Sequence, residues 1–311
     1  MSGPFSFLSD FDGVWTDPGR ELDAVHATVL GELATLAGVP REELKEHYDG
    51  FRDAVLREPE AHGWRIDGRL VSYVDEDTFA LPTSIGQYIE RAPCRTSASL
   101  REAVLREHGS VLEFLDRCYH ETCARFRREV DHDLAPGAER VLRWLLDAGV
   151  SVVFASNAPA EKIVGWFAHH GFKVDDARTT EPGSAPLRVY GRAGKQELGG
   201  AGTMAFAGRE VHVDRPVYRG ILERELPDLV VGDVFSLDLA LPLAMRLEGH
   251  PGAPAAVGVM HLPMTPDWVL ESVGPERHQV DFLVPHVTSL PRLISRLRGS
   301  RPAPAVPARR G

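Results

Sequence analysis

Two carboxylates near the beginning of the chain have the types and spacing of a catalytic pair. Asp10 and Asp12 follow an apolar, aromatic-rich run at residues 5–9, which predicts a buried strand. Gly13 then releases the backbone into a turn. Residues two apart on an extended backbone point the same way, so both carboxylates should face the carboxyl edge of a sheet. There, one acid can attack an electrophile while the other moves a proton.

Two further predicted strands also end in polar groups. One buried strand delivers Ser156 and Asn157 at its carboxyl end. Another, at residues 229–231, ends shortly before Asp233, and Asp238 follows in the same loop. Because ligands bind outside the carboxyl ends of the strands in an open α/β sheet, these groups should meet the first carboxylate pair there.

Hydrolysis of a phosphate monoester would use all of these groups. The uncatalysed reaction is among the slowest known, so a catalyst must supply a nucleophile, charge neutralisation and a proton for the leaving group. A carboxylate nucleophile divides the reaction into two steps through an aspartyl-phosphate. Crowded carboxylates repel each other, and a hard cation with oxygen ligands relieves that repulsion. Mg²⁺ fits because it accepts one or two carboxylates together with waters and substrate oxygens.

The motif Asp-x-Asp-Gly-x-x-Thr and the two later strand ends resemble, in this order, the motifs of the haloacid dehalogenase (HAD) superfamily. The resemblance covers roughly residues 5–16 and 134–297. It implies that Asp10 is the nucleophile and a metal ligand. It also implies that Asp12 is the general acid and base, and that its main-chain carbonyl binds the metal.

The same resemblance implies roles for the later motifs. Ser156 would act in catalysis by binding the transferring phosphoryl group, with Asn157 and Thr16 as further phosphate-binding residues. Asp233 would ligate Mg²⁺, and Asp238 would do so directly or through water.

The family's third motif is a basic residue, usually Lys, and here the sequence departs from the pattern. Arg215 stands at the expected place, just before the helix that leads to Asp233. Lys195 has the expected chemistry but lies between residues 175 and 213, where alternating runs at 187–190, 203–206 and 210–213, separated by glycines, predict a β-hairpin excursion. Both side chains are charged at neutral pH. We favour Lys195 as the catalytic cation, because such a hairpin can fold back over the site, and keep Arg215 as phosphate-binding. Lys162 is interpreted as a solvated surface lysine.

The predicted strands and helices that must position these residues alternate along the chain. This order predicts an α/β fold with a doubly wound, Rossmann-like parallel sheet. Apolar residues recur at helical spacing in residues 22–56 and 100–126, whereas no period persists at 62–93, and we predict residues 17–132 to be a mainly helical insertion. The resemblance implies that this insertion is a cap, with specificity residues within 62–95. We predict a discontinuous catalytic core at 1–16 and 133–298, and a disordered tail at 299–311, where Pro, Ala and Arg leave nothing to bury.

The charge composition of the chain argues against some classes of binding partner. Lys plus Arg number 35 and Asp plus Glu number 45, and the net charge of −10 argues against a nucleic-acid or anionic-membrane surface. The sequence shows neither an apolar run of membrane-spanning length nor a signal pattern, so we expect a cytoplasmic protein. The expected partner is a small phosphorylated metabolite, and the sequence gives no oligomeric state.

These observations predict a Mg²⁺-dependent phosphatase acting on a small metabolite. A phosphotransferase or phosphomutase of the same superfamily is the alternative enzyme, because it would use the same motifs with another acceptor. A non-catalytic member that binds a phosphorylated ligand is the other alternative, and the intact Asp10, Asp12 and Asp233 count against it.

Overall fold

A computed structural model of the chain describes residues 4–129 and 132–299. The strands are β1 (Ser6–Ser9), β2 (Gly63–Ile66), β3 (Arg69–Tyr73), β4 (Ser151–Ala155), β5 (Asp175–Asp176), β6 (Leu187–Tyr190), β7 (Thr203–Phe206), β8 (Arg209–His212), β9 (Leu229–Gly232), β10 (Ala256–Met260) and β11 (Phe282–Val284). The helices are α1 (Gly19–Ala37), α2 (Arg41–Arg57), α3 (Ala80–Arg91), α4 (Arg95–Leu105), α5 (Val111–Glu129), α6 (Ala138–Asp147), α7 (Ala160–His169), α8 (Pro216–Glu225), α9 (Ala240–Leu247), α10 (Asp267–Glu271) and α11 (Leu290–Gly299).

Seven strands within these described ranges form one parallel sheet, in the order β11-β10-β9-β1-β4-β6-β5. Successive side chains of a strand point to opposite faces, so the sheet supports two apolar layers. Phe7 packs in the layer that contains α6, α7 and α11, whereas Leu8 packs in the layer that contains α8, α9 and α10. Strand order reverses beside β1, which pairs with β4 on one side and β9 on the other. The predicted doubly wound α/β fold is confirmed.

Helices α1 to α5, with the antiparallel β2–β3 hairpin, follow β1 directly and are called here the helical block, residues 19–129. The helices pack around an apolar core of their own, whereas Tyr73 of the hairpin packs in the sheet layer that contains Leu8. Polar groups also join the hairpin end of the block to the rest of the chain. The Tyr73 hydroxyl donates to the carbonyl of Glu210 at 2.6 Å, and the Ser236 N–H donates to the Glu76 carboxylate at 2.8 Å.

The segment Leu187–Tyr190 was predicted to belong to a hairpin excursion, and this prediction is wrong. It is β6, a parallel strand of the main sheet that pairs with β4 and β5. Thr203–Phe206 and Arg209–His212 do form an antiparallel hairpin. A short apolar run between glycines has the same pattern in either setting, and its strand partners are distant in sequence. Lys195 therefore lies in the loop after the carboxyl end of β6.

A buried ion pair fixes β6 against α8. The Arg188 guanidinium donates to both carboxylate oxygens of Glu225, at 2.9 and 2.5 Å, and the Tyr190 hydroxyl donates to the same carboxylate at 2.6 Å. The side chains of Arg188 and Glu225 are 1% and 0% exposed. The strand that leads to Lys195 is thus held by charges that water does not screen.

Removal of Arg188 should destabilise the protein strongly. Arg188→Met leaves the Glu225 carboxylate buried without its partner, and we expect the free energy of unfolding to fall by about 3 kcal/mol in urea titrations. Arg219→Met is the matched control, because Arg219 pairs with Glu248 at a partly exposed site. That variant should lose less than about 1 kcal/mol. Equal losses in the two variants would contradict the structural role of the buried pair.

Two further expectations concern the ends and the surface of the chain. Of the tail predicted to be disordered at 299–311, all but Gly299 lies outside the described residues. Among the described helices, none alone is long and apolar enough to cross a membrane. The pair α1 and α2, bent by 119° at their junction, meets that test of length and composition only when the two helices are taken together.

Candidate active site

The turn after β1 brings the first motif against the end of β9. The Asp10 N–H donates to the carbonyl of Val231 at 2.9 Å, which fixes Asp10 at the carboxyl edge of the sheet. Gly13 has φ +76° and packs directly on Asp233, where a Cβ atom would overlap the carboxylate. Only glycine combines this backbone conformation with so close an approach. The glycine of the motif therefore allows Asp10 and Asp233 to share one site.

Three carboxylates converge at this edge. Oxygens of Asp10, Asp233 and Asp238 all lie within 4.8 Å of one another. Burial raises the pKa of Asp10 to about 7, with Asp238 acting in the same direction and Lys195 opposing it. Burial, followed by the charges of Asp10 and Asp238, raises the pKa of Asp233 well above its usual range.

This cluster has the chemistry of a divalent-cation site. Asp233 Oδ1 is buried and has no hydrogen-bond donor within the described part of the chain. Carboxylate oxygens that repel one another, one of them without a donor, are the ligands that Mg²⁺ satisfies. Asp10, Asp233 and Asp238 therefore fit the predicted metal. The Asp12 carboxylate is not in this group and has other partners, described below.

Lys195 is the cation of the cluster. Its Nζ donates to Asp10 Oδ1 at 2.6 Å and to Asp238 Oδ1 at 2.7 Å, and its side chain is 2% exposed. Burial alone would lower the pKa of Lys195, but these two carboxylates outweigh it and raise the pKa, so the ammonium stays charged. The Lys195 N–H donates to Asn157 Oδ1 at 3.0 Å. Asn157 thus holds the loop that carries Lys195.

Arg215 was predicted to bind phosphate, and its placement contradicts that prediction. The guanidinium is fully buried and donates to the carbonyls of Lys195 and Val71, the second at 2.8 Å. Burial lowers the pKa of Arg215 to about 10, which leaves it charged at neutral pH. Arg215 does not line the cavity above the carboxylates. By bonding both carbonyls, Arg215 connects the loop that carries Lys195 to β3 of the helical block.

A second buried lysine contacts Asp12, and the interpretation of Lys162 as a surface residue is wrong. Lys162 Nζ donates to Asp12 Oδ1 at 2.8 Å and to Glu21 Oε2 at 3.2 Å, and its side chain is 5% exposed. Burial alone would lower the pKa of Lys162, but Asp12 and Glu21 outweigh it and raise the pKa. Lys162 lies in the first turn of α7, which begins at the carboxyl edge of the sheet. This position brings it back toward the site.

Thr16 also contacts Asp12. Its hydroxyl donates to Asp12 Oδ1 at 3.3 Å, and Thr16 is buried and does not line the cavity. Its predicted phosphate-binding role is therefore corrected to a contact with Asp12. Ser156 follows β4 as predicted, and its hydroxyl accepts the Ala158 N–H at 3.1 Å. Ser156 and Asn157 both line the cavity.

A cavity of about 590 Å³ lies next to these groups. This volume is in the range of small-molecule sites. We call the side formed by the carboxyl edge of the sheet the floor, and the side formed by the helical block the roof. The roof comes from the helical block, including Trp64, Asp77 and Phe79 from the region expected to set specificity. The α5 residues of the roof are Asp116, Tyr119, His120 and Cys123. The floor is formed by Asp10, Asp12, Ser156, Asn157, Lys162, Lys195, Asp233 and Asp238.

No protein-family model matches the sequence, and a comparison with curated proteins also finds no match. Among solved structures, the chain is similar to a candidate HAD hydrolase from Bacillus subtilis bound to magnesium, with 12% identity and a TM-score of 0.48, covering 94% of this chain and 99% of the other. The chain is also similar to a HAD phosphatase from Thermococcus onnurineus, with 11% identity and a TM-score of 0.45, covering 93% of this chain and 97% of the other.

A third similar structure is a 2-haloacid dehalogenase from Pseudomonas syringae, with 15% identity, a TM-score of 0.40, and coverage of 94% of this chain and 99% of the other. All three are proteins of the HAD type, the family that the motifs of this chain resemble. Because the identities and TM-scores are low, the function proposed below rests on the geometry of the site.

Proposed function

We propose that this chain is a Mg²⁺-dependent phosphatase of the HAD type, which hydrolyses a phosphate monoester of a small cytoplasmic metabolite through an aspartyl-phosphate on Asp10. One observation carries the proposal. Lys195 is buried between Asp10 and Asp238, and beside them lies Asp233, whose Oδ1 has no hydrogen-bond donor in the described part of the chain. A nucleophile, a fixed cation and a set of metal ligands thus share one edge of the sheet, as phosphoryl transfer requires.

In the first step, an Asp10 carboxylate oxygen attacks phosphorus and the bond from phosphorus to the leaving oxygen breaks. Asp12 gives its proton to that oxygen, so the alcohol departs neutral. Lys195 offsets the charge that Asp10 and the phosphoryl group bring together. Ser156 and Asn157, which line the floor, bind phosphoryl oxygens in this proposal.

In the second step, water attacks phosphorus of the aspartyl-phosphate. Asp12, now a carboxylate, takes a proton from that water, and the bond from phosphorus to Asp10 breaks. Inorganic phosphate leaves and both carboxyl groups return to their starting states. A Mg²⁺ ion held by Asp10, Asp233 and Asp238, with the Asp12 carbonyl as a further proposed ligand, supplies neutralisation of the phosphoryl charge when bound.

The helical block acts as a cap in this proposal, with residues 17–132 as the cap and 1–16 with 133–298 as the catalytic core. The separate apolar core of the block and its contribution of the cavity roof support this division. A small phosphorylated metabolite fits between cap and core, and the cap excludes water from the reacting groups.

Metal removal tests the proposal. We expect the protein to release phosphate from p-nitrophenyl phosphate with Mg²⁺, to lose this activity in EDTA, and to regain it when Mg²⁺ is restored. Mg²⁺ should also raise the melting temperature of the wild type but not of Asp233→Asn, because only the wild type keeps all three ligands. Undiminished activity in excess chelator would contradict metal dependence. Transfer of the phosphoryl group to an added alcohol in preference to water would favour the phosphotransferase alternative.

Lys162 is a positioning residue for Asp12 in this proposal. Its ammonium bridges Asp12 and Glu21, so it holds the proton-transfer group against the first helix of the helical block. Lys162→Met should free the Asp12 side chain and slow the first turnover of an alkyl phosphate by about a hundredfold. First-turnover release of p-nitrophenol should fall much less, because that leaving group needs little protonation.

Two comparisons show whether Lys162 positions Asp12 or only supports the fold. Lys162→Arg keeps the charge and should retain part of the alkyl-phosphate rate. An equal loss on alkyl and p-nitrophenyl phosphates in Lys162→Met would show that the lysine supports the fold or the whole site, and would contradict its action through Asp12.

A further inference from the structure

The cavity roof contains an aromatic cluster opposite the phosphoryl floor. Tyr119 stands between Trp64 and Phe79, with ring centroids 6.0 and 6.2 Å away and both contacts edge-on. The three rings come from the β2 strand, the loop before α3, and α5. All three line the cavity and are partly exposed to it. The roof therefore offers ring surface to the leaving group of a substrate.

The same roof carries negative charge. Asp77 and Asp116 line it, and the Asp77 carboxylate is fixed by the Ser72 hydroxyl at 2.8 Å and the Phe79 N–H at 3.1 Å. Burial raises the pKa of Asp77 to about 6, so this group is mainly ionised at neutral pH. Burial raises the pKa of the Tyr119 phenol, so its ring stays neutral at neutral pH. The Asp77 and Asp116 carboxylates thus set up a negative field at the roof, Asp77 two positions before Phe79 and Asp116 three positions before Tyr119.

The cations that line the cavity do not cancel this field. Lys195 and Lys162 are each bonded to two carboxylates near the floor. The His120 imidazole lies 3.3 Å from Asp116 and carries charge only when it is protonated. Arg192 is exposed and belongs to the loop after β6, on the floor side. The roof is therefore both aromatic and anionic, whereas the floor holds the cations for a phosphoryl group.

We propose that the substrate is a phosphate monoester of an alcohol that carries an ammonium or quaternary ammonium group, an inference that rests on the proposed phosphatase function. The phosphoryl end lies at Asp10 and Lys195, and the cationic end lies at the rings and carboxylates of the roof. The faces of aromatic rings attract such cations through the ring quadrupole. A leaving group with a second negative charge is repelled by Asp77 and Asp116.

The test compares substrates with positive, neutral and negative head groups, of which the positive and the neutral one have the same shape. Phosphocholine is compared with its uncharged carbon analogue, in which a tert-butyl group replaces the trimethylammonium group, and with phosphoglycolate as the anionic case. We expect kcat/KM for phosphocholine to exceed that for the neutral analogue by about tenfold, with phosphoglycolate the poorest substrate. p-Nitrophenyl phosphate reports whether the phosphatase is active at all.

Two variants test whether the roof residues cause the preference for a cationic head group. Tyr119→Leu and Asp116→Asn should each move the ratio of phosphocholine to neutral analogue toward one, and this ratio within one variant is independent of the amount of folded protein. Asp147→Asn, at an exposed carboxylate outside the cavity, is the matched control and should keep the wild-type ratio.

The outcomes separate the inference from the proposed function. Equal or faster hydrolysis of the neutral analogue, or a ratio unchanged by both roof variants, overturns the inference while the phosphatase function stands. Failure to hydrolyse p-nitrophenyl phosphate as well overturns the proposed function itself, and with it the inference.

Discussion

Asp10→Asn is expected to lower kcat for phosphate-monoester hydrolysis at least a hundredfold while the fold stays intact. The amide is not a nucleophile toward phosphorus, although its oxygen can still accept the 2.6 Å hydrogen bond from Lys195. The substitution also removes one charge from the cluster of three carboxylates. We therefore expect the thermal stability measured without metal to be unchanged or higher, so that the loss of rate is not a loss of fold.

Steady-state kinetics and thermal melts check this expectation together. Asp147→Asn makes the same chemical change at an exposed position outside the cavity. Its kcat and its melting temperature should both equal those of the wild type. Retention of more than about a hundredth of the wild-type rate in folded Asp10→Asn would end the assignment of Asp10 as nucleophile.

Lys195→Met is expected to reduce kcat by a hundredfold or more. Lys195 is the cation bonded to both Asp10 and Asp238, and in a site shielded from water such a contact is worth several kcal/mol in the transition state. Methionine fills similar volume without charge, so the variant tests the ammonium rather than the packing. The measurement is kcat at saturating Mg²⁺ for wild type and variant.

Arg215→Met is the informative partner of this variant. Arg215 bonds the carbonyls of Lys195 and Val71, so its loss should lower the melting temperature and affect kcat only through displacement of the Lys195 loop. We expect its rate to stay well above that of Lys195→Met. A hundredfold loss in Arg215→Met beside a nearly silent Lys195→Met would return the third-motif role to Arg215.

The positions of the strand-end residues were predictable from sequence because their signals are local. An apolar run followed by Asp-x-Asp-Gly marks the end of β1, and similar runs mark the ends of β4 and β9. The rule that ligands bind at the carboxyl edge then brings Asp10, Ser156 and Asp233 together without further information. Lys195 was favoured for its chemistry, but its placement in a hairpin was wrong, since the strand before it, β6, is defined by partners far away in the chain.

Lys162 and the cavity roof were not predictable in this way. A lysine on a helix is usually solvated, and Lys162 is buried only because Asp12 and Glu21, distant in sequence, meet it. The region expected to set specificity showed no period because it contains a short hairpin and a loop before α3. Tyr119 lies on α5, where helical periodicity predicts packing and gives no sign of the cavity.

One measurement tests the central claim most directly: the trapping of the phosphoryl group on Asp10. Asp12→Asn should still accept a phosphoryl group from p-nitrophenyl phosphate, because that leaving group needs little protonation, but it lacks the base that activates water for the second step. We predict a stoichiometric burst of p-nitrophenol, and intact-mass and peptide analysis that locate one added phosphoryl group on Asp10. Turnover by the wild type together with Asp12→Asn protein that shows neither a burst nor phosphorylated Asp10 would contradict the account.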